Sequence, residues 1–445
     1  MAKQVSRFVC QNCGNEHPKW SGQCSGCQQW NSLVETVVAV KKSGLGRRGR
    51  ARTVVRLSEV RGREVARVKT GIGELDRVLG GGMVGGSVVL LAGEPGIGKS
   101  TLLTQLALCL GSELKRSSES VLYVCGEESP EQIKLRIDRI TKQTDGRRGG
   151  LLFLAETDAD VVVESVKDME GLSLIMVDSI QTMTTGDLSG MAGSVGQVRE
   201  CAYRLLNMAK KLNIPIFLVG HVTKEGTIAG PKVLEHLVDT VLYLEGDKKH
   251  QFRILRAQKN RFGPVDEVGV FLMGDKGLTE VKNPSDVFLE ERQKGVAGSC
   301  VVATMEGTRP VLVEVQGLVV PSQLAVPRRV ATGVDQRRLQ LLVAVLSKRC
   351  RLPLGHMDVY VNVVGGLRLN EPAVDLGVCL AVASSLKNKP LPTRVAVVGE
   401  VGLLGEIRKV SFLDKRIREA KKLGYSRVIG PDQAKTLLEA IRVLK

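Results

Sequence analysis

The sequence predicts an α/β protein of several domains, centred on a mainly parallel sheet with helices on both faces. Three observations carry that prediction. A glycine-rich loop joins an apolar strand to a helix at residues 88–106. Further short apolar strands, ending in polar residues, alternate with helical stretches up to residue 221. Upstream, four cysteines stand as two C-x-x-C pairs. At 445 residues, against about 150 per domain, the chain has room for about three domains.

Composition narrows the class. With 43% hydrophobic and 25% charged residues the chain is ordinary for a globular protein, which excludes wholesale disorder. Sixty-four basic residues against 47 acidic leave a formal charge of +17. That excess favours a polyanionic partner, nucleic acid or an anionic membrane surface. Aromatics are only 3%, so a grip on nucleic acid would lean on phosphate charge more than on base stacking. No apolar run approaches the roughly 18 residues of a membrane helix, and the first ten residues carry no apolar signal core. A cytoplasmic protein is expected, in which ten cysteines point to thiols and metal rather than disulfides.

Cys10, Cys13, Cys24 and Cys27 fall within eighteen residues. Each C-x-x-C turn presents two thiolates to one ion, so two turns complete a tetrahedral zinc shell. A segment this small needs such a staple to fold. Trp20 and Trp30, the only tryptophans, are expected to pack over the metal loops. The other six cysteines lie in apolar runs and read as core. From Lys41 to Lys69 there are eleven basic and two acidic residues. This stretch reads as a solvated linker, a tether along nucleic-acid phosphate, or both.

Val88 to Ala92 is a short apolar strand running into Gly93, Glu94, Pro95, Gly96, Ile97, Gly98, Lys99, Ser100 and Thr101. This is G-x-x-x-x-G-K-[ST] in the strand–loop–helix context it requires. Glycines let backbone N–H groups converge on phosphates; Lys99 neutralises β/γ oxygens and Ser100 offers its hydroxyl to Mg²⁺. The chain thus reads as a nucleoside triphosphate-binding protein that uses Mg²⁺. A second strand, Leu172 to Val177, ends in Asp178, placed to hold Mg²⁺ or its water shell. A third, Val121 to Cys125, ends in Gly126-Glu127-Glu128. Glu127 is the candidate general base for the attacking water, with Glu128 the alternative. Pro130 to Ile140 reads as a helix, and Leu151–Leu154 and Ile216–Val219 as strands. Two Gly-, Thr- and Met-rich segments, 182–194 and 222–231, follow core strands and read as long loops, mobile and functional or merely disordered. Lys259-Asn260-Arg261-Phe262-Gly263 reads as a basic turn after a strand. Two residues apart, Lys259 and Arg261 project to one side, two cations suited to a triphosphate or to DNA phosphate.

Taken together, these residues resemble the bacterial RadA (Sms) family of DNA-repair ATPases over nearly the whole chain. The shared features are the four-cysteine finger with Lys19-Trp20 and Trp30-Asn31, Thr70-Gly71 with Glu74-Leu75-Asp76 and Gly80-Gly81-Gly82, the phosphate loop, the Asp178 strand and KNRFG at 259–263. The resemblance implies a RecA-like core, similar also to hexameric replicative helicases. It implies a hexameric ring on single-stranded and branched DNA, DNA-stimulated ATP hydrolysis, and branch migration of intermediates made by a RecA-type recombinase. By position, Glu127 resembles the catalytic glutamate and His221 the residue that senses the γ-phosphate. Lys224 and Lys232 match DNA-facing loops. Cys125 departs from the serine more usual beside the glutamates.

From about residue 285 the pattern changes. Val311–Val319, Val359–Val364 and Val395–Val398 read as strands, and Gln336–Lys348, Asp375–Leu386 and Leu413–Leu423 as helices. This stretch is similar to the Lon peptidase domain, an α+β fold, which raises ATP-dependent proteolysis as a rival function. Lon-type chemistry needs a serine and a lysine. Ala373 stands where the serine would be and Asp414 where the lysine would be, so proteolysis is disfavoured; a nucleotide-switched DNA-binding scaffold is the other rival. Arg328, Arg329, Arg337, Arg338, Lys348, Arg349 and Arg351 form a basic face or a DNA track. The expected divisions are a zinc finger at 1–35, a basic linker at 36–69, an ATPase domain at 70–284 and an inactive Lon-like domain at 285–445.

Overall fold

A computed structural model describes residues 4–10, 15–39, 67–113, 119–141, 150–188, 190–221, 231–246 and 251–444. The chain divides into two compact units, Met1–Glu280 and Val281–Lys445. The first opens with three strands, β1 (Gln4–Cys10), β2 (Glu16–His17) and β3 (Leu33–Ala39), paired antiparallel in the order β2-β1-β3. Then come β4 (Arg67–Val68), α1 (Gly73–Val78) and β5 (Met83–Val84), followed by β6 (Val88–Gly93), α2 (Lys99–Glu113), β7 (Ser120–Cys125) and α3 (Pro130–Ile140). The alternation continues through β8 (Leu151–Leu154), α4 (Ala159–Lys167), β9 (Leu172–Asp178), α5 (Val195–Leu212) and β10 (Ile216–His221). Four strands close the unit: β11 (Thr240–Glu245), β12 (Phe252–Asn260), β13 (Val268–Gly274) and β14 (Gly277–Glu280).

One nine-stranded sheet, ordered β14-β13-β12-β11-β6-β10-β9-β7-β8, organises this unit. The six strands from β11 to β8 are parallel, as the alternation predicts. The sequence reading placed a strand before Lys259, which is β12, but did not foresee β13 and β14 or the antiparallel meander by which all three extend the sheet. Every residue of β6 is buried, the pattern of a strand covered on both faces. One face packs on α2 and α3 through Leu102, Leu106, Ile133 and Ile137, the other on α4 and α5 through Val162, Val166, Val198 and Leu205. Local chemistry sets the helix ends. Ser129 and Gln132 form a reciprocal capping box at the start of α3, with Pro130 in its first turn. Asn213 takes the left-handed conformation that ends α5.

Within the segment 182–194, Thr185, Asp187 and Leu188 are held more firmly than the sequence suggests. Buried Gln197 accepts from Thr185 N (2.9 Å) and donates to Leu188 O (2.8 Å), while Arg204 binds Asp160, Asp187 and Glu200. An amide and a guanidinium from α5 thus replace the missing secondary structure. Of the other loop, residues 222–230 lie outside the described residues.

The second unit contains α6 (Pro284–Leu289), β15 (Ser299–Glu306), β16 (Arg309–Pro321), β17 (Arg329–Thr332), α7 (Gln336–Cys350), β18 (Met357–Val363) and α8 (Asp375–Lys387). It ends with β19 (Val395–Val397), β20 (Glu400–Val401), β21 (Ile407–Arg408), α9 (Leu413–Lys422), β22 (Arg427–Ile429) and α10 (Leu437–Ile441). Six strands form a mixed sheet, β17-β18-β16-β15-β19-β22, with α8 packed against its centre. Ala373 is buried just before α8, and Asp414 is exposed in the first turn of α9. Neither supplies a nucleophile or its activator.

An ion pair, buried at its arginine end, ties the loop before Ala373 to α9. Arg416, 1% exposed, binds both oxygens of Glu371 (2.6 and 2.5 Å) and donates to Ala303 O (2.8 Å). Glu371 also accepts from Thr304 and from Met305 N. Glu371→Gln strands the guanidinium without its counter-charge, and should cost the second unit about 3 kcal/mol in urea unfolding at neutral pH. Burial pushes the Glu371 carboxyl up, but the bonds from Arg416 and Thr304 outweigh it and hold it below its ordinary 4.5. The wild-type advantage over the Gln variant should therefore be full above pH 4.5 and fade as pH falls below it.

Candidate active site and metal centre

Four neighbouring strands, β6, β10, β9 and β7, deliver their C-terminal ends to one edge of the sheet. His221 is in register with Gly93, and Asp178 with Cys125. With strands about 4.8 Å apart, the register alone brings these tips together. Gly126 N and Glu127 N both donate to Asp178 O, fastening β7 to β9 beyond the ladder. Gly126 permits this: a Cβ there would meet Thr182 Oγ1 at 2.2 Å.

The phosphate loop follows β6. Gly96 and Gly98 take positive φ (76° and 116°), and a Cβ on Gly98 would meet Met273 Cε at 2.4 Å. Nearly buried Arg253, from β12, donates to Ile97 O (3.0 Å) and pins the loop from behind. Lys99, 3% exposed, donates to Gly93 O (2.9 Å) and Glu94 O (3.0 Å). Burial lowers its pKa to about 8, against the pull of Asp178 and Glu127. Ser100 and Thr101 begin α2 beside it.

Facing the loop, Glu127 Oε1 accepts from the Ser179 hydroxyl and stands 3.3 Å from His221 Nε2. His221, outweighing burial, together with Ser179 and Lys99 holds the Glu127 carboxyl below its usual range. Glu128 turns away and is paired with Arg136 of α3. Asp178 Oδ2 accepts from Tyr123 OH (2.8 Å), whereas Oδ1 is buried with no hydrogen-bond partner among the described residues. Burial pushes the Asp178 carboxyl up, and the Tyr123 and Ser100 hydroxyls pull it back. An orphaned carboxylate oxygen near a loop-serine hydroxyl suits a hydrated Mg²⁺. The ligand atoms of Glu127, Asp178 and His221 lie within 4.8 Å of one another. Ser179, Tyr123 and Arg253 escaped the sequence reading. Ser179 had a signal in its adjacency to Asp178; the others depend on register and on contacts more than fifty residues distant.

Lys259 and Arg261 are placed differently from expectation. Strand β12 runs to Asn260, so Lys259 is still within it. Its ammonium donates to Glu235 O and Val238 O, and Arg261 Nη1 meets Asp239 Oδ1 at 3.1 Å. Both cations reach the same segment of their own chain. Lys232 is exposed; Lys224 lies outside the described residues.

In the N-terminal module the sulfurs of Cys10, Cys24 and Cys27 converge within 4.8 Å, with Cys10 and Cys27 at 3.6 Å. A tetrahedral zinc with bonds of about 2.3 Å spaces its sulfurs by about 3.8 Å, so the three fit. Cys13 lies outside the described residues. Trp20 and Trp30 do not cover this site: they are 58% and 68% exposed, and the module's small core is Cys10, Cys24 and Leu33.

Phosphate loop, carboxylates at neighbouring strand tips and the flanking helices define a P-loop ATPase. Residues 54–227 match the family model described as an AAA domain, and residues 8–35 that of a rubredoxin metal binding domain. The chain is 51% identical to the DNA repair protein RadA of Bacillus subtilis, covering 97% of this chain and 93% of that protein. It is 50% identical to RadA of Halalkalibacterium halodurans (97% and 94%) and 49% identical to RadA of Listeria monocytogenes (97% and 93%). A crystal structure of the RadB recombinase aligns with 48% of this chain at 23% identity, with a TM-score of 0.37. The chain belongs to the RadA family of DNA repair proteins. Among the described residues no helix is long and apolar enough to cross a membrane.

Two outcomes follow from the site. Purified protein should carry one zinc per chain by metal analysis, and Cys24→Ser with Cys27→Ser should lose it. With Lys99 half-charged near pH 8 before phosphate arrives, ATP binding should take up protons between about pH 8 and 9. Calorimetry in buffers of different ionisation heat measures that uptake, and Lys99→Met should abolish it.

Proposed function

We propose that this chain is a DNA-stimulated ATPase motor of recombinational repair. It works as a hexameric ring on single-stranded and branched DNA and drives branch migration of products made by a RecA-type recombinase. The observation that carries the reading is the convergence of Glu127, Asp178 and His221 at three adjacent strand tips, close to Lys99 at the start of α2, within a chain of the RadA family. Lys99 neutralises developing charge on the β/γ oxygens; Ser100 and Asp178 hold Mg²⁺. Glu127, kept ionised, orients and deprotonates the attacking water, and His221 links it to the strand beside the phosphate loop. Glu128 is committed to Arg136, which supports Glu127 as the base.

The DNA grip rests on Lys224 and Lys232 of the second loop and on the +17 charge. Lys259 and Arg261, held as a pair by Glu235, Val238 and Asp239, complete a neighbouring subunit's site in trans. The four-part division at residues 35, 69 and 284 and a cytoplasmic location belong to the same reading.

ATP hydrolysis with and without single-stranded or forked DNA tests it. Wild type should be stimulated by DNA, and Lys99→Ala should be inactive. Glu127→Gln should bind ATP normally and turn over at least about 100-fold more slowly, while Glu128→Gln should stay within about threefold of wild type. A Glu127→Gln rate equal to wild type, or equal rates with and without DNA, would overturn the assignment.

A further inference from the structure

One contact at the strand tips has no place in the roles assigned so far. Tyr123 is 1% exposed in the middle of β7, in the same buried cluster as Leu102, Leu106, Ile133 and Ile137, with its ring tilted against Phe153 at 6.1 Å. A buried phenol needs a partner for its hydroxyl. Tyr123 OH finds it on the next strand, 2.8 Å from Asp178 Oδ2. The carboxylate has two oxygens, and this bond fixes which does what: Oδ2 is engaged by the phenol, while Oδ1, on a carboxylate that also feels the Ser100 hydroxyl, is buried with no hydrogen-bond partner among the described residues.

We propose that Tyr123 is a positioning residue for magnesium, holding the Asp178 carboxylate so that Oδ1 alone is presented to the ion. The proposal rests on Asp178 being the metal-holding carboxylate of the reading above. Mg²⁺ demands near-octahedral geometry, so a carboxylate free to turn loses more than one already oriented. A phenol that takes one oxygen also keeps Asp178 from chelating through both. The bond couples the core to the site, since the ring that sets the hydroxyl is locked by packing on α2 and α3. Partners that orient metal ligands in this way are commonly worth about tenfold or more in metal affinity.

Tyr123→Phe deletes the hydroxyl and keeps the ring, so the core is preserved. The measurement is equilibrium binding of a fluorescent ATP analogue to the full chain, titrated with Mg²⁺, so no turnover is needed. The midpoint in Mg²⁺ should rise about tenfold in Tyr123→Phe, with binding in excess EDTA unchanged. Asp178→Asn should raise the midpoint at least as far, and the double variant should add little, because the phenol acts only through the carboxylate. If Asp178→Asn leaves the midpoint where it was, the metal role of Asp178 is wrong. If Asp178→Asn shifts it and Tyr123→Phe does not, the positioning role is wrong and the metal role stands. An equal loss of affinity in EDTA, or full additivity in the double variant, would likewise overturn the proposal, because a general loosening of the core predicts both.

Discussion

Everything at the nucleotide edge depends on the parallel register of four neighbouring strands. A one-residue slip between β6 and β10 would reverse the side chains and turn His221 away from the phosphate loop. The same slip between β9 and β7 would separate Asp178 from Tyr123 and Glu127. The register is protected by burial on both sheet faces and by backbone bonds beyond the ladder, from Gly126 and Glu127 to Asp178 O. The antiparallel meander adds a second restraint. Arg253 reaches across to Ile97 O, and the β11–β12 pair carries Lys259 and Arg261 toward the segment behind Asp239. Asp239 in turn accepts from Val88 N at the start of β6, so both ends of the central strand are tied to the later part of the unit.

Much of this was legible in the sequence because the signals were local. The phosphate loop, the acid ending a buried strand and the paired cysteines each declare themselves within ten or twenty residues. The helix at Pro130–Ile140 and the strand at Leu151–Leu154 were legible to the residue, one through its Ser-Pro start and the other through its unbroken apolar run. Contacts between distant elements were not. Tyr123 reads as one more apolar strand residue until register sets it beside Asp178. Loop 182–194 reads as flexible from its glycines and threonines, since the amide that pins it belongs to the following helix. Beyond the strand before Lys259 the meander was missed, because β13 and β14 are set off by short polar turns rather than separated by helices. The tryptophans failed for another reason: a module nucleated by sulfur–metal bonds has almost no apolar core to receive them.

In the second unit the sequence reading, a peptidase-like fold without its nucleophile, centres on Ala373 and the loop before it. The nucleophile position is a buried methyl group at Ala373, and the space between its loop and α9 is claimed by the Arg416–Glu371 pair with four further hydrogen-bonding groups. A charged pair that needs this many partners tolerates little rearrangement, so the region serves as a rigid joint between α9 and β15. Around it, glycines set how closely α8 lies on the sheet: a Cβ on Gly317 would meet the Ala381 backbone at 2.8 Å, and one on Gly377 the Val302 side chain at 2.0 Å.

The exposure of Trp20 and Trp30 has an optical consequence. They are the chain's only two indoles, and both stand in water within the sulfur-bound module. Selectively excited tryptophan emission therefore originates in this module alone. It is a built-in lamp on one small module: long in wavelength from the outset, open to collisional quenchers, and responsive to whatever settles on that face.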